Sequence, residues 1–281
     1  VAKHLKSTGA KVYFTTILGN DELKKFVLSE MKKSKILINA IIDKTRPTTN
    51  KNTILSGMYK LLKIDKVDNQ PISEKILERI KTFIKKQKCD SIIFSDFRHG
   101  IFNKNSIPEL VSSIPKKVFK VADSQVATRW GNIIDFQKFD LLTPNEREAR
   151  FSLADQDSSI SVLTRDLAKQ TRFKNLILKL GSRGIVSIKK KDKEIKKDKE
   201  ITFALPSFPS KLVDSTGTGD ALLSYATLSM IATKSLVISS ILGSLAGACE
   251  CEKDGNIAIT PEEILKKINL IEESSNYKIR K

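Results

Sequence analysis

Two aspartates bracket a glycine-rich run, Asp214-Ser-Thr-Gly-Thr-Gly-Asp220, and the stretch after it, Ala221 to Met230, is almost wholly apolar. Such a stretch reads as a buried helix with glycines at its start. Without side chains at Gly217 and Gly219, the backbone can approach an anion closely, and the unpaired amide hydrogens of the first turn point at it. Gly217, Thr218 and Gly219 therefore form a candidate anion hole. Asp220 has two readings. A carboxylate at a helix start caps it. The same carboxylate can take a proton from a hydroxyl while the neighbouring amides stabilise charge on a phosphoryl group in transfer. Two glycines and two aspartates at this spacing favour the second.

Further candidates lie at the ends of short apolar runs. Leu142-Thr-Pro-Asn145-Glu-Arg-Glu148 reads as a strand end turning through Pro144 into a helix, with Asn145 and Glu148 at its start. In Leu178-Lys179-Leu-Gly181-Ser-Arg-Gly184, Lys179 can meet phosphate as a point charge, whereas Gly184 reads equally as a plain hairpin turn. Ser95-Asp96-Phe-Arg98-His99-Gly100 follows a buried run; Arg98 and His99 can approach an anionic ligand, although exposed loop charge is the stronger reading for both. Asp123 is placed like Asp96.

Positioning these groups requires a regular scaffold. Short apolar runs alternate with amphipathic segments almost throughout, the signature of an α/β protein with a mainly parallel sheet covered on both faces. Strands are expected at 11–18, 35–42, 53–64, 91–95, 117–122, 139–142 and 176–180. Asp21 caps a helix with Leu23, Phe26, Val27 and Met31 on one face. Ser73 caps another carrying Ile76, Leu77, Ile80, Phe83 and Ile84. Residues 1–9 open as a helix, residues 235–249 form a buried one, and Lys189 to Lys199 reads as a solvated hairpin tip. The tail from Asn276 is expected to fray. In open parallel sheets, ligands bind beyond the strand ends, which is where the candidate residues fall. With no internal repeat or long linker, the 281 residues are expected to form one domain.

The run ending in Asp220 resembles the Asp-Thr-x-Gly-Ala-Gly-Asp signature of ribokinase-like sugar kinases, with Ser215 and Thr218 as departures. Asn145 and Glu148 resemble that family's Asn-x-x-Glu element, and residues 178–184 its strand-to-loop segment beside the ATP phosphates. Residues 44–65 resemble a segment of bacterial heptose 7-phosphate kinases, with Asn50, Asn52 and Thr53 departing from it. The resemblance implies a three-layer α/β sandwich, ATP with Mg²⁺, and a sugar or sugar phosphate as acceptor. It implies Asp220 as base, Asn145 and Glu148 in the magnesium and phosphate water network, Gly181 beside the phosphates and Lys179 where threonine is common. It further implies Asp96 at the sugar, and Gly255 with residues 246–251 on the adenine side. It also leads us to expect a strand, a glycine element and part of a lid before Val1. A kinase for another sugar or a nucleoside, and a non-catalytic nucleotide-binding remnant, remain open alternatives. A homodimer is compatible with it.

Composition bounds what remains. Lys and Arg total 50 against 32 acidic residues, a formal charge of +18. The lysines are dispersed and interleaved with acids, so the charge favours anionic substrates without outlining a nucleic-acid footprint. No apolar stretch is long enough to span a bilayer, and no signal-peptide pattern is present. Three cysteines give no disulfide framework and no zinc spacing, pointing to a reducing, cytoplasmic setting. His4 carries no assigned role.

Overall fold

The computed structural model describes residues 1–57, 59–125, 131–191 and 200–274. In chain order the first elements are α1 (Ala2–Ser7), β1 (Tyr13–Leu18), α2 (Glu22–Lys33), β2 (Leu37–Ile42), β3 (Asn50–Ser56), β4 (Tyr59–Lys66), α3 (Glu74–Lys86), β5 (Ser91–Asp96) and α4 (Ser106–Ser112). They are followed by β6 (Phe119–Ser124), β7 (Leu141–Leu142), α5 (Glu146–Leu153), α6 (Ile160–Thr171), β8 (Asn175–Lys179), β9 (Ile185–Lys189) and β10 (Ile201–Leu205). The chain ends in α7 (Thr218–Thr233), α8 (Leu236–Cys251) and α9 (Pro261–Ser274). These elements group into two compact units.

The larger unit comprises Val1–Ala10, Cys89–Phe97 and Lys116–Lys281. Its six-stranded sheet has the order β10-β9-β8-β7-β6-β5. Strands β5 to β8 run parallel, and β9 and β10 each pair antiparallel. The parallel strands are apolar on both faces, as burial between layers requires. Val121, Leu141 and Ile177 from β6, β7 and β8 pack with Leu222, Leu223 and Ala226 of α7, which fixes that helix on the sheet. Fully burying each such leucine or isoleucine contributes about 1.5–3 kcal/mol. A second cluster, including Ala221, Tyr225, Leu245 and Ile264, joins α7 to α8 and α9. The two long helices cross closely because Gly243 and Gly247 of α8 face Ala226 and Thr218 of α7, with only 3.2 Å between a would-be Cβ and each neighbour.

The smaller unit comprises Lys11–Lys88 and Arg98–Pro115. Strands β1 and β2 pair in parallel, and α3 buries Ile76, Leu77, Ile80 and Ile84 as its spacing predicts. Arg46 organises the connecting loops. Its Nε donates to Asp43 Oδ2 at 2.9 Å, and its Nη1 and Nη2 reach the carbonyls of His99 and Gln70.

Three expectations need correction or refinement. Residues 53–64 are not one strand: β3 and β4 form an antiparallel hairpin turning at Gly57, whose φ is +56°. The run lacks an Asn-Gly turn signal, and apolar residues on both arms hide the reversal. Helix α2 begins after Asp21, whose carboxylate accepts from Lys24 N, yet its apolar face is not buried, with Phe26 65% exposed. Ser73 stands at the α3 N-cap without a side-chain cap bond. The tip read at 189–199 lies, from residue 192 on, outside the described residues, as does the tail from Asn276; the flanking β9 and β10 do pair as a hairpin. No helix among the described residues is long and apolar enough to cross a membrane.

Candidate active site

Helix α7 starts at Thr218, three residues earlier than its apolar run suggests. Gly217 is the N-cap, with φ +89°, a left-handed conformation that favours glycine. Asp220 therefore sits inside the first turn rather than at the cap, which removes the capping reading. Ser224 Oγ donates to the Asp220 carbonyl at 2.7 Å. The Thr218 hydroxyl is buried and makes no hydrogen bond among the described residues. An orphaned donor beside first-turn amides suits an oxygen-rich anion.

Lys179, the last residue of β8, comes to the same place. A methyl group added at Gly219 would stand 3.2 Å from Lys179 Nζ, so the ammonium lies over the head of α7. Lys179 Nζ donates to Asp123 Oδ1 at 2.9 Å, and the Thr143 hydroxyl donates to the same oxygen at 3.0 Å. Burial alone would lower the Lys179 pKa, but the charges of Asp123, Glu148 and Asp220 outweigh it and hold the group above the ordinary lysine value.

Asn145 and Glu148 form a reciprocal capping box on α5. Asn145 Oδ1 accepts from Glu148 N at 2.8 Å, and Glu148 Oε2 accepts from Asn145 N at 2.7 Å. Pro144 precedes them, and Lys179 N donates to its carbonyl at 2.9 Å, which brings the α5 head beside the end of β8. Burial pushes the Glu148 carboxyl up to about 7, opposed by Lys179 and reinforced by Asp123. Among the described residues no group of three His, Cys, Asp or Glu is arranged to hold a metal directly. The oxygen set of Asn145, Glu148 and Asp123 fits a hard cation that arrives with phosphate and is met through water.

Asn145, Lys179 and Gly181 line an open cleft of about 610 Å³ that also includes Arg147, Arg150 and Phe151. Arg183 pairs with Glu146 beside it. Gly181 has φ +62° with open space at its Cβ position. Gly184 has φ +85°, and a Cβ there would lie 2.0 Å from the Leu205 carbonyl, so its glycine is required by the β8–β9 turn whether or not a ligand passes. Gly255, with φ +76°, also has open space around it.

Asp96 ends β5 and is only 2% exposed. Asn132 Nδ2 donates to its Oδ2 at 3.0 Å and Ser124 Oγ at 3.4 Å, so this carboxylate is part of a buried polar network. Arg98 lies in the smaller unit, half-buried, with φ +64°. His99 beside it is also half-buried, and burial together with Lys51 lowers its pKa. Neither is the freely exposed loop charge favoured from sequence.

Sequence reasoning named Asp123 as placed like Asp96 but missed its role as the anchor of Lys179, 56 residues away. One group escaped it altogether. Glu250, near the end of α8, is fully buried, with Oε1 2.5 Å from the Cβ position of Gly217. A lone glutamate in the otherwise apolar run 245–251 was the one available signal.

Comparisons with known proteins bear on the family and the fold. The bifunctional protein HldE of Sulfurimonas denitrificans is 25% identical over 94% of the chain and 54% of its own length. The protein of the same name from Helicobacter pylori J99 is 26% identical over 96% of the chain and 57% of its own length. The chain thus spans little more than half the length of these curated relatives. Among solved structures, Escherichia coli phosphofructokinase-2 with potassium matches at TM-score 0.77 and 13% identity, over 96% of this chain and 85% of that one. Ribokinase from Thermotoga maritima matches at 0.72 and 19%, over 95% and 85%. At such identities these two show the fold alone, the ribokinase-like α/β sandwich. The model of the pfkB carbohydrate kinase family matches residues 1–263. A phosphate-ready helix head carrying an aspartate is what a phosphotransferase to an alcohol needs, and this chain belongs to the pfkB family of carbohydrate kinases.

Proposed function

We propose that the protein transfers the γ-phosphoryl group of ATP to a hydroxyl of a heptose 7-phosphate. The observation that carries this reading is the head of α7, where Gly217, an orphaned Thr218 hydroxyl, Asp220 and the Lys179 ammonium converge. Asp220 accepts the hydroxyl proton as the oxygen attacks the γ-phosphorus, and ADP leaves. The amides of Thr218, Gly219 and Asp220 and the Lys179 charge meet the phosphoryl oxygens. Gly181 and Gly184 let the β8–β9 turn pass the nucleotide, and Gly255 faces its base. Mg²⁺ bound with ATP neutralises phosphate charge, and Asn145 and Glu148 meet it through water. Asp96 and Arg98 are assigned to the sugar side.

The heptose assignment rests on the resemblance of residues 44–65 and is supported by the HldE relatives. We further infer a homodimer through the apolar β3–β4 hairpin. The test is ADP release with Mg²⁺ and ATP against a panel of heptose 7-phosphate, fructose 6-phosphate, ribose and a nucleoside. Turnover confined to the heptose phosphate and abolished in Asp220→Asn, with nucleotide binding retained, is the expected result. Full turnover in Asp220→Asn would remove that residue from the role of base. Preference for another acceptor would overturn the heptose assignment alone.

A further inference from the structure

Glu250 is fully buried and stands directly behind the phosphate loop. Its Oε1 lies 2.5 Å from the Cβ position of Gly217 and accepts from Ile257 N at 3.2 Å. Its Oε2 is buried and makes no hydrogen bond among the described residues. The Asn256 side chain packs on the same glycine. From α1, His4 Nε2 approaches Oε1 to 4.0 Å, while His4 Nδ1 accepts from Ile259 N at 3.1 Å. The other side-chain charges that act on Glu250 are Lys253 beyond its own helix and, from α7, Asp220. A carboxylate so placed has a charge to lose: ionised, it stands behind amides meant to attract an anion.

We propose that Glu250 is a proton-linked positioning residue of the phosphate loop, so that nucleotide phosphate binding at the head of α7 is coupled to uptake of one proton by Glu250. The proposal rests on the assignment of that helix head as the phosphate site. The physical argument is linkage. A bound phosphate raises the cost of a negative charge on Glu250, and by reciprocity a protonated Glu250 binds phosphate more tightly. Burial already pushes this carboxyl up to about 7, so the group is part-protonated near neutrality and can respond. His4, which burial lowers to about 4, stays neutral there and does not supply a compensating charge. The proton comes from solvent.

The test is isothermal titration of Mg·ADP into the protein at pH 7 in buffers of different ionisation enthalpy. Glu250 should contribute about half a proton of uptake per ADP bound, because a group of pKa near 7 is half-ionised before binding. The ADP affinity of the unaltered protein should weaken about three- to tenfold more than that of Glu250→Gln between pH 6.5 and 8.5. Glu250→Gln and Glu250→Met should each take up about half a proton less than the unaltered protein, the remaining exchange belonging to Glu148, whose carboxyl burial also pushes up to about 7; two variants guard against one that fails to fold. Equal proton counts in all three proteins would overturn the coupling while leaving the phosphate site standing. Absence of ADP binding by the unaltered protein would overturn the site assignment and the coupling with it.

Discussion

Lys179 Nζ and Asp123 Oδ1 are 2.9 Å apart, and this ion pair holds a cation over Gly219 at the positive end of α7. A lysine there is repelled by the helix dipole, so it stays only because carboxylates surround it. Asp123 is 5% and Lys179 15% exposed at the side chain, which makes each dependent on the other. An arriving phosphate offers the ammonium a second partner without requiring it to move far.

Removing the cation should therefore cost both binding and stability. Lys179→Met is expected to raise the ATP KM by about ten- to a hundredfold, the loss of one charge-assisted phosphate contact. It should also destabilise the fold by about 3 kcal/mol, because Asp123 is left buried and unpaired. Adding Asp123→Asn should recover part of that stability but none of the binding. Steady-state kinetics and urea unfolding of the two single variants and the double one provide the check. Strict additivity in stability would show that the pair is not coupled.

The two glycines of the anion hole should fail differently. At Gly217, alanine must adopt φ +89° and displace a buried carboxylate oxygen 2.5 Å away, a cost of about 2–3 kcal/mol. At Gly219, the nearest atom is the end of a flexible lysine at 3.2 Å, which can shift. Gly219→Ala should keep its unfolding free energy within about 1 kcal/mol of the parent while weakening nucleotide binding, since Lys179 is pushed aside. Comparing midpoints with ADP affinities separates the two outcomes. A stability loss at Gly219 matching that at Gly217 would contradict the assigned geometry.

Much of this was legible in sequence because it is local. Strand and helix alternation, the Gly217 to Asp220 run and the Asn145–Glu148 spacing each lie within a few residues, where periodicity and capping chemistry act. What stayed hidden joins distant positions. Nothing in the sequence pairs Asp123 with Lys179, or Glu250 with His4, because the sheet order brings strand ends together regardless of separation. The turn at Gly57 was missed because apolar residues continue through both hairpin arms. The capping alternative for Asp220 arose because helix starts are read from the first apolar residue, whereas α7 begins in the polar Thr218-Gly219.

Acid should loosen the fold through His4. Burial lowers its pKa to about 4 from an ordinary 6.5, so the unfolded chain takes the proton first. The contribution of neutral His4 is complete above pH 6.5 and is lost as pH falls from 6.5 towards 4, on the order of 3 kcal/mol in full. Glu250 has the opposite slope: its raised pKa contributes fully below about 4.5 and is lost as pH rises through about 7. Thermal unfolding from pH 4.5 to 8 should show His4→Gln flattening the acid side and Glu250→Gln raising stability at the alkaline side. Identical profiles in the parent and His4→Gln would exclude a buried neutral histidine.

The β3–β4 hairpin exposes apolar side chains that no water-facing ribbon needs. Ile54 and Leu62 are directly opposed, with Ile64 two residues on, and all are about half exposed. Tyr59 and Leu61 are more exposed still. A two-stranded ribbon is marginal by itself, and a contiguous apolar patch on it favours coverage by a second copy over exposure to water. Placing like charges on opposed positions should prevent this, because cross-strand and cross-copy repulsion then add. Ile54→Lys with Leu62→Lys is expected to convert a dimer to a monomer in sedimentation equilibrium, while far-ultraviolet circular dichroism stays that of the parent. A parent protein that sediments as a monomer at tens of micromolar would rule out the hairpin as a dimer contact.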